Sequence, residues 1–325
     1  MDISSNPAIK NNHLKAIDLN NIDLKIQKYI SSSKSFNTKR AYQSDWVDFE
    51  NWCAENQLIS LPAAENTIIL YISTLAESGM KMSTIQRRIT SISIAHQAKG
   101  FSSPTYGIKT KTVWKGIRNE YGVVQVGKAP ILVKDLRRMV MSLPGNIQGL
   151  RDRALLLVGF AGAFRRSELV ALNIDNVEFV NEGLIILIKH SKTDQEGVGR
   201  KVGIAYGSHL ETCPVRTLRK WIEESKITDG PLFRKINKFG LVEKRHLCDK
   251  SVALIVKRSA ESAGLDSSIY SAHSLRAGLA TSAAVAGVSE WSIMQQTGHK
   301  SVEMVRRYIR DGNLFRDNAS AQIGL

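Results

Sequence analysis

Four residues near the C-terminus have the types and the order needed to transfer a phosphoryl group to a tyrosine. HSLR contributes His273 and Arg276, TGH contributes His299, and RRYIR contributes Tyr308. Attack on a phosphodiester builds negative charge on its non-bridging oxygens, which fixed donors can stabilise without a metal. Arginine binds phosphate through two parallel hydrogen bonds and keeps its charge, and histidine can donate a hydrogen bond or move a proton near neutral pH.

Tyr308 is the candidate nucleophile. A phenol with the ordinary pKa of about 10 is a weak nucleophile, so nearby cations must favour the phenolate. Each residue alone has an ordinary structural explanation: a helical HxxR pair often forms a surface ion pair, and this tyrosine stands among arginines that suit an amphipathic helix over a core. The joint order His-x-x-Arg, Gly-His and then Tyr is far more demanding, and it favours the chemical interpretation.

The motifs resemble the C-terminal signature of the tyrosine recombinases, also called the phage integrase family, whose members include Cre and the Xer proteins. That signature is HxLR, a Gly-His pair and a tyrosine a few turns later, and this sequence matches it residue for residue. The resemblance implies that His273, Arg276 and His299 bind phosphate and handle protons, with Tyr308 as nucleophile. It implies no metal and no cofactor.

The resemblance also implies a first catalytic arginine in a helix-turn reading G-x-R-x-S-E-L, and GAFRRSELVAL supplies that arginine. Alignment on SEL makes Arg165 the catalytic residue and Arg166 the variable position. Glu168 would be a buried acid that orients the arginine and histidine groups. The flanking segments LLLVGFAGAF and LVAL are apolar, and a buried arginine needs a charged or phosphate partner.

The family's remaining catalytic group is a lysine on a β-hairpin, which protonates the leaving 5′ hydroxyl. LIILIKHSKTDQEGVGRKVGIAYG predicts a strand, a polar turn and a second strand. Lys192 in SKT matches the family lysine, while Lys189 and Lys201 remain as alternatives. A lysine beside a hairpin is otherwise a solvated charge at a sheet edge.

The elements that must position these residues predict a mainly α-helical chain with a small β-sheet. The 325 residues, 43% of them apolar, are enough for two domains. We expect a flexible N-terminus over 1–15, a helical core-type DNA-binding domain over 16–121, a linker over 122–130, and a catalytic domain over 131–325. By the resemblance, the two domains close as a C-clamp around the duplex and the C-terminal segment contacts a neighbouring subunit. The residues of that segment alone are equally compatible with a frayed end.

Apolar spacing in the N-terminal domain predicts helices over 18–30, from Asn37 or Thr38 to about Glu55, over 65–78, over MKMSTIQRRITSISIAHQAKG and over about 109–120. The fourth of these has polar and basic residues at its start and on the face opposite its isoleucines. The residues alone leave open a solvated face or a DNA reader. The resemblance favours DNA contacts by Ser83, Thr84, Arg87 and Arg88, and further contacts by Lys244 and Arg245 in the second domain.

A formal net charge of +15 favours a polyanionic partner but does not distinguish DNA from RNA or an anionic membrane. No run of 18 apolar residues occurs, so no membrane span is expected. The N-terminus lacks the apolar run of a signal peptide, and three scattered cysteines give neither a disulfide framework nor metal-ligand spacing. These features predict a cytoplasmic protein.

The sequence therefore predicts a site-specific recombinase that cleaves and rejoins double-stranded DNA through a 3′-phosphotyrosyl intermediate, in integration, excision or resolution. The resemblance adds a homotetramer on two duplexes. Two alternatives stay open. One is a type IB topoisomerase-like enzyme that nicks and closes one strand, and the other is a sequence-specific DNA-binding regulator that does not cleave.

Overall fold

The computed structural model describes residues 35–122, 127–189 and 199–312. The predicted helix over 18–30, the expected flexible start, Lys192 and the predicted subunit-contact segment over 313–325 lie outside the described residues. The predicted fold class is confirmed, because helices dominate and the strands form two small antiparallel sheets. The chain divides into two compact units, Met1–Gln125 and Val126–Leu325. Among the described helices, none has the length and apolarity to span a membrane.

The first unit contains four described α-helices: α1 (Phe36–Glu55), α2 (Glu65–Glu77), α3 (Met82–Ala98) and α4 (Ile108–Tyr121). Their apolar faces meet in a core that includes Phe49, Ile68, Ile85 and Ile92. The start of α1 differs from the prediction. Ser35 is the N-cap, because its side chain accepts a hydrogen bond from the backbone N–H of Thr38 at 3.3 Å.

The second unit contains helices α5 (Val133–Met141), α6 (Ile147–Ala161), α7 (Arg166–Val170), α8 (Pro214–Ser225), α9 (Asp249–Ser262), α10 (His273–Val285), α11 (Glu290–Thr297) and α12 (Val302–Gly312). The apolar run in α6 is buried as predicted, with Leu155, Leu156 and Val158 fully enclosed. This helix therefore forms the centre of the main core, and the loop that follows it carries Arg165.

The second unit has two sheets, β1 (Val177–Val180), β2 (Gly183–Ile188) and β3 (Arg200–Ala205), and β4 (Arg234–Ile236) with β5 (Val242–His246). The antiparallel β2–β3 pair confirms the two predicted strands, and Ile188 pairs with Arg200 at the end of the ladder. The strands β1, β4 and β5 were not predicted.

Helices α10, α11 and α12 form a separate small cluster at the C-terminal end of the described chain. Ala280 and Ala284 of α10, Ile293 of α11 and Val305 of α12 are buried together, and Tyr308 packs against them. Gly298 ends α11 in the left-handed conformation (φ 64°, ψ 38°) that favours glycine. This turn places His299 between α11 and α12.

Candidate active site

Tyr308 lies between the two candidate histidines. Its hydroxyl oxygen is 3.1 Å from Nε2 of His273, and its ring stacks on that of His299 with centroids 5.8 Å apart. Val305, on the same helix as Tyr308, is fully buried in the small cluster and thereby fixes the position of that helix. Three residues predicted from separate motifs are thus brought into contact.

Arg276 is the buried cation of this site, with 1% of its surface exposed. One guanidinium nitrogen, Nη1, donates to the carbonyl of Ala163 at 2.8 Å, while Nη2 has no hydrogen-bond partner among the described residues. Burial, together with the positive charge of Arg165, lowers the pKa of Arg276 to about 10. A buried donor without an acceptor is costly, so an anionic ligand here would stabilise the site.

Glu168 is the buried acid predicted beside the arginines. Its carboxylate accepts from the backbone N–H of Arg165 at 3.0 Å and from the Arg165 guanidinium at 2.6 Å. The guanidinium of Arg200 lies 3.6 Å from the same carboxylate. Burial alone would raise the pKa of Glu168, but the hydrogen bonds and positive charge of Arg165, with the charge of Arg200, outweigh it and hold the pKa below its usual value.

Glu168→Gln is expected to lower the free energy of unfolding at neutral pH by about 3 kcal/mol, because Arg165 and Arg200 lose the buried carboxylate that both contact. A depressed folded-state pKa stabilises the protein above the unfolded pKa of about 4.3, and this stabilisation is lost as pH falls through the folded pKa. Urea unfolding at a series of pH values measures the difference between wild type and variant, which should shrink in acid. Glu178→Gln, at an exposed position on β1, is the control and should change little. A difference that is the same at pH 3 and pH 7 would contradict the charge argument.

Thr297 determines which ring nitrogen of His299 carries the hydrogen. The hydroxyl of Thr297 donates its single hydrogen to the carbonyl of Ile293 at 2.7 Å, so its 2.8 Å contact with Nδ1 of His299 requires Nδ1–H to be the donor. Burial and the positive charges of Arg276 and Arg165 lower the pKa of His299 to about 3. The ring is therefore neutral at pH 7, with Nε2 able to accept a proton.

His273 is also biased toward the neutral form. Desolvation, followed by the positive charges of Arg276 and Arg165, lowers its pKa. The site without DNA thus combines cationic guanidinium groups with two neutral imidazoles beside a phenol. Such a set can bind a phosphate and accept the proton of the tyrosine.

Ala163 connects the first arginine motif to the second. It adopts a left-handed backbone conformation (φ 49°) at the position that glycine holds in the G-x-R-x-S-E-L pattern. A side chain at positive φ costs on the order of 1 kcal/mol. The conformation places the Ala163 carbonyl against Arg276 and starts the turn that presents Arg165.

Among the residues missed by sequence reasoning are Thr297, which contacts His299, and Arg200, which contacts Glu168. Arg200 had a usable signal: Arg200, Val202 and Ile204 alternate along β3, and the two aliphatic residues are buried. Alternation therefore places the arginine on the inward face and Lys201 on the exposed one. Lys189 is also exposed, and the choice among the three lysines stays a prediction.

The residues predicted to contact DNA in the first unit differ in their surroundings. Ser83 is exposed and Thr84 is half-buried at the start of α3. Arg87 binds Asp45 through two nitrogens, at 2.7 and 2.9 Å, and keeps 46% of its side chain exposed.

Arg88 is enclosed between three helices. Only 13% of its side chain is exposed, and it binds Asp48 of α1 and the hydroxyl of Tyr71 of α2. This geometry favours a packing role for Arg88 over the predicted DNA contact. In the second unit, Lys244 and Arg245 are exposed on β5, and Arg245 pairs with Glu243 at 2.9 Å.

Comparison with known proteins matches this arrangement to one family. Residues 131–313 match the model of the phage integrase family. The chain is 44% identical to an integrase/recombinase xerD homolog of Selenomonas ruminantium over 302 residues, which cover 92% of this chain and 88% of the relative. It is 24% identical to the recombinase cre of Escherichia phage P1 over 279 residues, which cover 80% of each chain.

A solved structure has the same fold. The Tn1549 transposon integrase in complex with circular intermediate DNA superposes with a TM-score of 0.63 at 15% identity, over 92% of this chain and 96% of that one. The family match spans the second unit from just before α5 to the end of α12 and includes every candidate catalytic residue named above. The chain belongs to the phage integrase family.

Proposed function

We propose that the chain is a site-specific DNA recombinase in which Tyr308 attacks a phosphodiester of the DNA backbone. The observation that carries this proposal is the contact of the Tyr308 hydroxyl with His273 at 3.1 Å, next to the buried guanidinium of Arg276. Nucleophile, proton acceptor and anion-binding group are already adjacent without DNA. The names of the relatives, a xerD homolog and the recombinase cre, support the same activity.

The cleavage step uses these groups in defined roles. Arg165 and Arg276 bind the non-bridging oxygens, whose charge grows in the transition state. Neutral His273 accepts the phenol proton, while His299 lies on the other side of the ring. The bond from phosphorus to the tyrosine oxygen forms as the bond to the 5′ oxygen breaks, and Lys192 supplies the proton that makes the 5′ hydroxyl.

Rejoining reverses this step with a different 5′ hydroxyl. A 5′ hydroxyl of the partner duplex gives its proton to Lys192 as it attacks the phosphorus, and the tyrosine oxygen leaves with the proton that His273 accepted during cleavage. One phosphoester replaces another in each step, so no external energy source enters. Four protomers on two duplexes would complete the exchange in the cytoplasm.

The two units divide the work of binding DNA. The first unit contacts DNA through the start of α3, where Ser83 and Arg87 are exposed. The second unit is the catalytic domain, and its exposed Lys244 and Arg245 on β5 add further contacts. The net charge of +15 supports a polyanionic ligand for the chain as a whole.

Covalent capture on DNA tests the proposal. The protein is incubated with sheared DNA of its own organism, the mixture is denatured, and the fragments that stay attached are sequenced. We expect a few discrete sites, each with protein on a 3′ phosphate and a free 5′ hydroxyl. Two duplexes that carry such a site should then exchange strands. Supercoil relaxation without exchange would indicate a type IB-like enzyme, and reversible binding without any adduct would indicate a regulator.

A further inference from the structure

We propose that Arg200 is a positioning residue that fixes the placement of Arg165 relative to His299 and thereby sets the rate of tyrosine attack. The proposal rests on the proposed function, because it concerns the same reaction. Arg200 is the first residue of β3, and its side chain is about four-fifths buried, with 21% exposed. It belongs to none of the motifs that predicted the site.

The guanidinium of Arg200 joins the two halves of the site. Nη2 lies 3.6 Å from the carboxylate of Glu168, which holds both the backbone and the side chain of Arg165. Nη1 donates to the carbonyl of Gln296 at 3.1 Å, three residues before His299. A shift of this one side chain would therefore move both a phosphate-binding arginine and a histidine.

Gly298 shows how closely Arg200 packs against the backbone that carries His299. A Cβ atom added at Gly298 would lie 2.9 Å from Nε of Arg200 and 3.0 Å from its Cζ. The positive φ of 64° already favours glycine here. Glycine thus satisfies the turn and also leaves the space that the guanidinium occupies.

The side chain of Gln296 makes a second link, from the end of α11 to α6 and β3. Its side-chain amide donates to the carbonyl of Ala161 at 2.8 Å and to that of Gly203 at 3.0 Å. The end of α11 is thereby tied to α6 and β3, and Arg200 ties it to Glu168. Two independent contacts hold the segment before His299, which is the rigid support that a catalytic group requires.

Arg200 also lies at the end of the β2–β3 ladder. Its partner in the ladder is Ile188, the last residue of β2. The position of Arg200 therefore joins this end of the sheet to Glu168 and to the segment before His299.

The charge of Arg200 acts on the site in addition to these contacts. Arg200 lies among Arg165 and Arg276 with Glu168 as the shared anion, and its positive charge contributes to the lowered pKa values of Arg276 and His299. An apolar residue of similar size would fill the space without the cost of burying another cation. Arg200 therefore acts on the electrostatics of the site as well as on its geometry.

Single-turnover formation of the covalent adduct, on a site obtained by the capture experiment, tests the proposal. Arg200→Met should slow adduct formation on the order of 10- to 100-fold, as expected for a misplacement of about 1 Å, while DNA affinity stays the same. The pKa of His299, followed through the NMR signals of its ring, should rise, because a nearby positive charge is lost. Arg200→Lys should restore this pKa but only part of the rate.

Arg219→Met is the matched control. Arg219 is exposed on α8 and packs on the ring of Phe179 in the same sheet, with its guanidinium carbon 4.9 Å from the ring centroid. It should leave the rate and the pKa of His299 unchanged. If Arg200→Met behaves like this control, or if it weakens DNA binding as much as it slows the reaction, the positioning role is wrong.

A measurement without DNA separates this proposal from the proposed function. The ring signals of His299 in the NMR spectrum should shift in Arg200→Met and stay in place in Arg219→Met. Wild-type protein that forms no adduct with any DNA would overturn the proposed function, while the NMR result would still decide whether Arg200 positions His299. Should Arg200→Met fail to fold, Arg200→Lys gives the same test, since it keeps the charge and loses the forked donor.

Discussion

Tyr308→Phe is expected to abolish the covalent protein–DNA adduct and to leave DNA binding unchanged. The substitution removes only the hydroxyl oxygen, which lies 3.1 Å from Nε2 of His273. The ring itself stacks on His299 and packs with the small cluster of α10, α11 and α12. Phenylalanine keeps these contacts, so fold and DNA surface should survive the loss of the nucleophile.

The measurement is the fraction of DNA that remains attached to the protein after denaturation, set beside DNA affinity from a binding titration. Tyr206→Phe is the matched control, because it removes the same atom in the same unit from a hydroxyl that contacts Arg219 at 3.3 Å. We expect no adduct with Tyr308→Phe and the wild-type amount with Tyr206→Phe. A persistent adduct in Tyr308→Phe would show that another residue attacks the phosphate.

The residues that the sequence could predict are those whose contacts follow from local spacing. His273 and Arg276 stand three residues apart on α10, so one helix presents both to the same side. The pattern around Arg165 likewise forms a local turn in which Glu168, three residues on, binds its backbone and side chain. Order and spacing along the chain therefore contain most of this geometry.

Arg200 and the partners of Arg87 and Arg88 escaped prediction because they depend on contacts between distant segments. Arg200 reaches Gln296, which lies 96 residues further along the chain. The partners of Arg87 and Arg88 are Asp45 and Asp48, which α1 supplies from at least 40 residues away. Periodicity shows which face of α3 is polar, but it does not show that another helix neutralises that face.

Secondary structure that depends on distant segments was likewise not predicted. Helices with a long apolar period, such as α6, were predicted because each turn repeats the signal. The strand β4 contains only Arg234–Ile236, which is too short for alternation to be visible, and it is stabilised by pairing with β5. Short strands take their stability from partners that a single segment does not reveal.

Arg276→Met is expected to slow adduct formation about 1,000-fold while leaving the free protein as stable as wild type or more stable. A fixed donor to the developing phosphate charge is worth about this much. In the absence of DNA the same guanidinium destabilises the folded protein, because it is only 1% exposed. Its Nη1 donates to one carbonyl, and its Nη2 has no partner among the described residues. Methionine fills a similar volume without burying a charge.

Arg151→Met is the matched comparison for the effect of Arg276→Met on stability. Arg151 is a second buried arginine in the same unit, but it is paired with the carboxylate of Asp152 at 2.6 Å. Removing one partner of a buried pair costs about 3–5 kcal/mol, so this variant should unfold at a much lower urea concentration. The two substitutions are chemically identical and should have opposite consequences for stability.

Inorganic phosphate completes the test, because a ligand that binds only the folded state raises its stability. Phosphate should raise the melting temperature of wild type and have a much smaller effect on Arg276→Met. An Arg276→Met protein destabilised as much as Arg151→Met would show that Arg276 is already satisfied within the fold. If Arg276 instead lacks an anionic partner in the free protein, bound phosphate stabilises the fold through it. The difference in free energy of unfolding between Arg276→Met and Arg151→Met then measures the cost of burying an unpaired guanidinium.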